Sequence, residues 1–115
     1  MKKVLVVDDD CDLLVILTAY LTRKGFVVMT CVSCREGKEA LDKFQPDYIL
    51  LDINVGDEDG RELCQTISQE ARWRHIPVVM ISANHEQLST VQSFGARAAL
   101  QKPFELEKVL ETLGG

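Results

Sequence analysis

Residues able to do chemistry stand at the ends of apolar runs in this chain. Lys3-Val4-Leu5-Val6-Val7 runs into Asp8-Asp9-Asp10, Tyr48-Ile49-Leu50-Leu51 into Asp52, and Ala99-Leu100-Gln101 into Lys102-Pro103. A fourth run, Ile76 to Ile81, ends on Ser82. Short apolar runs bounded by breakers read as buried parallel strands, and open parallel sheets collect ligands at the carboxyl ends of their strands. Strands laid side by side would bring several carboxylates and one ammonium to a single spot. Carboxylates packed that closely repel one another, and a hard divalent ion such as Mg²⁺, bound by oxygen ligands, would relieve the repulsion. The pattern points to a metal and one special aspartate.

Each of these residues also has an ordinary reading. An N-terminal cap needs one side chain and favours acids in the first turn, which suits Asp10 and Asp12 and leaves Asp8 and Asp9 for a metal; both readings stay open from this segment alone. Asp52 reads either as a turn residue or as a functional carboxylate. It ends the most hydrophobic run, where an unpaired charge is costly. Lys102 reads either as a solvated loop lysine or as the counter-charge. The order Asp-Asp, Asp, Ser, Lys over four strand ends favours the functional reading of all of them.

The elements that would position them alternate regularly. Val4–Val7 reads as a strand. Residues 12–24 place Leu13, Leu17, Tyr20 and Leu21 at helical spacing, and Gly25 stops the helix. Phe26–Thr30 reads as a second strand. A helix capped by Ser33 carries Gly37, Ala40, Leu41 and Phe44 on one face and ends before Pro46. Tyr48–Leu51 is the third strand. A polar, acidic loop from Asn54 to Gly60 leads to a helix with Leu63, Cys64, Ile67 and Ala71 inward. Ile76–Ile81 is the fourth strand, with Pro77 permitted near its start. A helix over Glu86–Phe94 stops at Gly95, Ala98–Leu100 forms a short fifth strand, and Glu105–Leu113 forms the last helix. The result is (βα)₅ with helices on both faces of a parallel sheet. Gly114-Gly115 reads as a loose tail.

The totals agree with a single domain over residues 1–115. The chain has 115 residues, 46% of them hydrophobic and 27% charged, as in ordinary globular proteins. A net charge of −5 argues against a broad grip on nucleic acid or anionic membrane. No apolar run approaches the roughly 20 residues of a membrane span, and the start is too short for a signal peptide, so a cytoplasmic location is expected. Cys31-Val-Ser-Cys34 is formally C-x-x-C, but no second pair or suitably spaced histidine accompanies it. Reduced thiols are the expectation for Cys11, Cys31, Cys34 and Cys64, with Cys64 in the core.

Taken together, Val6-Val7-Asp8-Asp9, Leu51-Asp52-Ile53 with Asp59-Gly60 downstream, Ile81-Ser82-Ala83 and Gln101-Lys102-Pro103-Phe104 closely resemble the receiver domain of two-component response regulators, chemotaxis receivers among them. The resemblance covers essentially the whole chain. It implies the α/β flavodoxin-like doubly wound fold, a five-stranded parallel sheet in the order 2-1-3-4-5. It makes Asp52 the phosphoacceptor, with Asp9 and Asp52 binding Mg²⁺ directly, Asp8 mainly through water, and Asn54 through its backbone carbonyl. Lys102 would pair with Asp52 and then with the phosphoryl group. Ser82 would hydrogen-bond a phosphoryl oxygen, and the small Ala83 would leave room for it. The donor would be a phosphohistidine on a sensor histidine kinase or a histidine phosphotransfer protein. Such a domain catalyses only its own phosphorylation and dephosphorylation, contacts neither nucleic acid nor membrane directly, and is a monomer or weak dimer.

The chain departs from the family pattern at identifiable places. Ala99 stands where Tyr or Phe is usual, so the coupling in which an aromatic ring swings inward lacks its ring. Gly56 replaces a common Pro, and Asp57, Glu58 and Asp59 make that loop unusually acidic. Asn54 and Asn84 flank the expected phosphoryl position, where their amides would orient water and shorten the acyl phosphate lifetime. Three other functions compete. A flavin-binding flavodoxin would need a phosphate-cradling loop where three aspartates stand. A haloacid-dehalogenase-like phosphatase would need a general acid where Asn54 stands. A phosphorylation-independent interaction module with the same fold is kept open by Ala99.

Overall fold

The computed structural model describes residues 1–114. Its elements are β1 (Lys3–Val7), α1 (Cys11–Arg23), β2 (Val27–Cys31), α2 (Cys34–Phe44), β3 (Tyr48–Asp52), β4 (Asn54–Val55), β5 (Glu58–Asp59), α3 (Gly60–Gln69), β6 (Val78–Ser82), α4 (His85–Leu88), a 3₁₀ turn (Val91–Phe94), β7 (Ala98–Gln101) and α5 (Leu106–Thr112). The main sheet runs β2-β1-β3-β6-β7 with every pair parallel, which is the expected order once its five strands are counted alone. The chain leaves β1 toward β2 and returns on the other side to β3. The carboxyl ends of β1 and β3 therefore flank the point where the winding reverses, the position at which such sheets bind ligands.

The continuous apolar character of the central strands follows from burial on both faces. Leu5, Val7, Ile49, Leu51, Val78 and Met80 point to one face and pack with Ala40 and Leu41 of α2 and Leu63, Cys64 and Ile67 of α3. Their neighbours Val4, Val6, Leu50, Val79 and Ile81 point to the other face. They pack with Leu14, Leu17 and Leu21 of α1 and Val109 and Leu113 of α5. Successive side chains of one strand thus anchor two separate cores, and the strand ends cannot shift without disturbing both.

Helix starts follow their caps. The Asp10 carboxylate accepts the Leu13 N–H at 3.2 Å, and the Ser33 hydroxyl accepts the Glu36 N–H at 3.1 Å while Glu36 reaches back to the Val32 N–H at 2.9 Å. Gln45 closes α2 in the left-handed region at φ 53°.

Three local features differ from the sequence reading. The acidic loop after Asp52 is a small antiparallel hairpin, pairing Asn54 with Asp59 and Val55 with Glu58, turned at Gly56 with φ 59° and pinned by the buried Val55. The expected fourth helix breaks into α4 and the 3₁₀ turn. Ser89, Thr90 and Ser93 hydroxyls donate to the carbonyls of Glu86, Gln87 and Thr90, each at 2.6 Å, and such back-bonding competes with a regular helix. Ala71 is exposed beyond the end of α3. The buried position falls to Trp73, whose indole N–H donates to Asp42 at 3.0 Å. All four cysteines are free thiols, with Cys11 exposed and the others buried. Of the expected tail, Gly115 lies outside the described residues.

Gly60 is where the fold bears most directly on the acidic strand ends. Its N–H donates to the Ile53 carbonyl at 2.6 Å, and a side-chain carbon here would run into the backbone carbonyl oxygen of Asp52. Gly60→Ala should cost about 1–3 kcal/mol of stability as overpacking against backbone. A shift in the urea unfolding midpoint checks this, and an unchanged midpoint would contradict the close approach.

Candidate functional site

The acidic end of β1 is built by continuing the ladder one residue past the strand. The Asp8 N–H donates to the Cys31 carbonyl at 3.0 Å, so Asp8 stays in the sheet plane and its side chain is 0% exposed. Its Oδ1 accepts the Asp10 N–H at 2.9 Å. Asp9, one residue on, points outward and accepts the Gly56 N–H at 3.0 Å, which ties the β4–β5 hairpin to the end of β1. Asp52 is the last residue of β3, buried, with its Oδ1 accepting the Asn54 N–H at 2.8 Å.

Lys102 follows β7, and its N–H donates to the Ser82 carbonyl at 2.9 Å; the Lys102–Pro103 peptide is cis. The Nζ lies 2.6 Å from Asp52 Oδ2 and 2.9 Å from Asp8 Oδ2, bridging residues 50 and 94 positions away in sequence. Hydrogen bonds between ionised groups in so sheltered a place are the strong kind. Burial works against the Lys102 ammonium, but its bonds to Asp52 and Asp8 outweigh that and hold its pKa above the ordinary lysine value. Burial also dominates at Asp8, pushing its pKa up to about 6. The Asp10 N–H and Lys102 oppose the rise, and the charge of Asp52 adds to it.

One oxygen each from Asp8, Asp9 and Asp52 lie within 4.8 Å of one another, the one such cluster of metal-ligating side chains among the described residues. Three carboxylates outnumber the single ammonium. An oxygen-only donor set of this kind suits a hard divalent cation, and no cysteine or histidine enters it to favour a softer one.

Ser82 closes the other side. Its buried hydroxyl accepts the Asn84 N–H at 3.0 Å and donates to Gln87 Oε1 at 3.2 Å. The same Gln87 oxygen accepts from Asn54 Nδ2 at 2.9 Å, and Gln87 Nε2 lies 3.4 Å from Asn54 Oδ1. Asn54 and Ser82 are therefore joined by a side chain that the sequence reading did not single out. Gln87 has no motif; only the folding of α4 over the β3–α3 connection places it here. Ala83 is exposed and lines a hollow of about 390 Å³ beside Lys102, Pro103 and Phe104. The Asn84 side chain is committed to capping α4, accepting the Gln87 N–H at 3.1 Å. Ala99 lies on the exposed face of β7, bordering a hollow of about 320 Å³ with His85, Leu88, Ser89 and Gln101.

Among protein families, the model of the response regulator receiver domain matches residues 4–114. The chain is 32% identical over 112 residues to the DNA-binding dual master transcriptional regulator RpaA of Synechocystis, covering 96% of this chain and 46% of that protein. It is 34% identical over 113 residues to the alkaline phosphatase synthesis transcriptional regulatory protein PhoP of Bacillus subtilis, covering 94% and 45% respectively. The chain thus spans about half the length of these relatives. Among solved structures, the chemotaxis response regulator CheY4 of Vibrio cholerae superposes with a TM-score of 0.91 at 28% identity, over 99% of this chain and 97% of that one. The receiver domain of NtrX from Brucella abortus gives 0.86 at 27% identity, over 96% and 98%. On sequence, sheet order and superposition alike, the chain belongs to the response regulator receiver domain family.

Proposed function

We propose that residues 1–115 form a single phosphoacceptor receiver, in which Asp52 accepts a phosphoryl group from a phosphohistidine on a sensor histidine kinase or a histidine phosphotransfer protein. The observation that carries this reading is the buried Asp52 carboxylate, held on one oxygen by the Asn54 N–H and on the other by the Lys102 ammonium. Both oxygens are oriented before a donor arrives, which lowers the cost of reaching an in-line geometry. A bond forms from a carboxylate oxygen to phosphorus as the P–N bond of the phosphohistidine breaks, its electron pair returning to the imidazole. Carboxylates are ionised at neutral pH and need no base for this step.

The chain's own donors meet the charge that develops. Lys102 is within reach of any group built on Asp52, and Ser82 has a hydroxyl to donate to a phosphoryl oxygen. Ala83 adds no bulk at the rim. Asp9, Asp52 and the Asn54 carbonyl would hold Mg²⁺ directly, with Asp8 acting through water, and the oxygen-only cluster fits that ion. When bound, Mg²⁺ neutralises charge on the phosphoryl oxygens. The domain catalyses only its own phosphorylation and dephosphorylation, and the Asn54 amide, bonded to Gln87 in this structure, would orient the hydrolytic water once released from that side chain.

Its partners are the phosphohistidine protein and a downstream target met through the surface near α4. A net charge of −5 is unsuited to direct nucleic-acid or anionic-membrane contact, and no described helix is long and apolar enough to cross a membrane. The domain acts in the cytoplasm as a monomer or weak dimer. One observation favours a second reading, a phosphorylation-independent docking module: Ala99 offers no ring to switch.

Intact mass after incubation with Mg²⁺ and phosphoramidate or acetyl phosphate tests the proposal. The wild type should gain one phosphate, and Asp52→Asn or omission of Mg²⁺ should abolish the gain. No phosphate from any donor, with cation binding intact, would favour the docking module.

The charge balance generates a pH prediction. The Asp8 pKa is raised from 3.8 to about 6, so between these values the folded state holds a proton that the unfolded state has lost. Stability from this group therefore falls as pH rises through that window, and the deficit persists at neutrality. In EDTA at pH 7.5, Asp8→Asn should be more stable than wild type by of the order of 1–3 kcal/mol in thermal or urea unfolding. Added Mg²⁺ should stabilise the wild type more than the variant. A less stable variant in EDTA would show that Asp8 is fully paid for by Lys102.

A further inference from the structure

With Ala99 in β7, the route by which phosphorylation could reach the surface must lie elsewhere, and the hydrogen bonds around α4 supply one. We propose that Gln87 is a positioning residue that couples Asp52 phosphorylation to the α4 segment: its side-chain amide clamps Ser82 and Asn54 in the unphosphorylated protein, and phosphoryl occupancy opens the clamp. This rests on the phosphoacceptor reading given above.

The argument begins with proton supply. The Ser82 hydroxyl has one proton and donates it to Gln87 Oε1 at 3.2 Å. It cannot give that proton to a phosphoryl oxygen on Asp52 and keep the bond to Gln87. The second arm of the clamp, from Asn54 Nδ2 to the same Gln87 oxygen at 2.9 Å, comes from the residue two positions beyond Asp52. The Asn54 backbone N–H is itself bonded to Asp52 Oδ1 at 2.8 Å, so rearrangement of that carboxylate pulls on this arm as well. Every contact of the Gln87 side-chain amide, including the 3.4 Å bond it donates from Nε2 to Asn54 Oδ1, is thus made with Ser82 or Asn54, residues that answer directly to what happens on Asp52.

The segment that Gln87 holds has little stability of its own. α4 has only four residues, too short to persist as an isolated helix. The Ser89, Thr90 and Ser93 hydroxyls turn back onto its carbonyls at 2.6 Å. Val91 enters the core and Leu88 and Phe94 pack against it, while side-chain hydrogen bonds tether the α4 turn itself. One tether is Gln87. Another is Arg61, locked to Asp59 with Nη2–Oδ2 at 2.7 Å, which donates to Thr90 Oγ1 at 3.1 Å and lies over the Phe94 ring at 5.5 Å. The Arg61 tether leads to α3 and does not touch Asp52 or Ser82. Gln87 is the tether with a direct line to the phosphoryl position, and its release would loosen the surface formed by the exposed His85 and Ser89 and the half-buried Leu88 beside Ala99.

Hydrogen–deuterium exchange of the segment 84–94, with intact mass read in parallel, tests this on the full chain. In the wild type, phosphorylation with phosphoramidate and Mg²⁺ should speed exchange of the segment about ten-fold, the scale of one or two lost neutral hydrogen bonds. Gln87→Met keeps the length and removes the acceptor. It should exchange at the faster rate before phosphorylation, and phosphorylation should then add less than about two-fold, the non-additivity expected of one shared contact. Gln87→Glu gives up only the long 3.4 Å donation to Asn54 Oδ1 and keeps the oxygen that accepts from Ser82 and Asn54, so it should stay more protected than Gln87→Met until phosphorylated. A residue with a merely structural role would loosen the segment in Gln87→Met and leave the increment on phosphorylation intact; that result overturns the proposal. Exchange that does not respond in a wild type carrying phosphate by mass overturns it too. A wild type that takes up no phosphate overturns the phosphoacceptor reading and this coupling with it, and the mass channel separates that failure from the others.

Discussion

The Lys102 ammonium between Asp8 and Asp52 is the contact on which the arrangement of this domain depends. Each of the two carboxylates is almost completely removed from water, and neither could be tolerated there alone. The ammonium reaches them from a strand two places away in the sheet from β3. It offsets part of their mutual repulsion and leaves a surplus of negative charge at the mouth, where Asp9 adds a third carboxylate. Burial still holds Asp8 well above the ordinary carboxylate range. A divalent cation held by the three acids would address that imbalance, and under the proposed function the charge added by a phosphoryl group would be met by that cation and by Lys102.

Such a contact needs strand ends that do not drift. The two cores on opposite faces of the sheet provide this, since alternate residues of β1, β3 and β6 are locked into different helices. The connections are then free to vary. The β4–β5 hairpin and α4 are both short, and both are fastened to the site by side chains: the hairpin by Asp9 and Gly56, α4 by Gln87. Rigid strands hold the acids and the lysine, and lightly held connections carry whatever change follows. Ala99, exposed on β7, has no side chain that could carry such a change.

The residues at the strand ends were legible because burial on both faces forces a signature that sequence preserves: continuous apolar runs, cut short by charge. Asp8, Asp9, Asp52, Ser82 and Lys102 could be found that way, and the alternation of runs with helical spacing was enough for the five parallel strands. Legibility failed where tertiary contacts decide. Nothing in Asn54 to Gly60 announces a hairpin, since its pairing depends on Val55 entering the core. The fourth helix read as one run from Glu86 to the stop at Gly95, whereas it breaks into α4 and a 3₁₀ turn where Ser89, Thr90 and Ser93 turn their hydroxyls back onto its carbonyls. Ala71 lost its expected place to Trp73 because α3 ends early and the indole finds Asp42. Gln87 was invisible for a related reason: its partners are distant in sequence and its type is common on any helix.

The most direct measurement is a calorimetric Mg²⁺ titration of the wild type and Lys102→Met at neutral pH. If the ammonium balances the acids, the wild type binds one Mg²⁺ and the variant, with its carboxylates uncompensated, binds it several-fold more tightly. Weaker binding in the variant, or no saturable binding in either protein, would contradict the charge balance on which this account of the site rests.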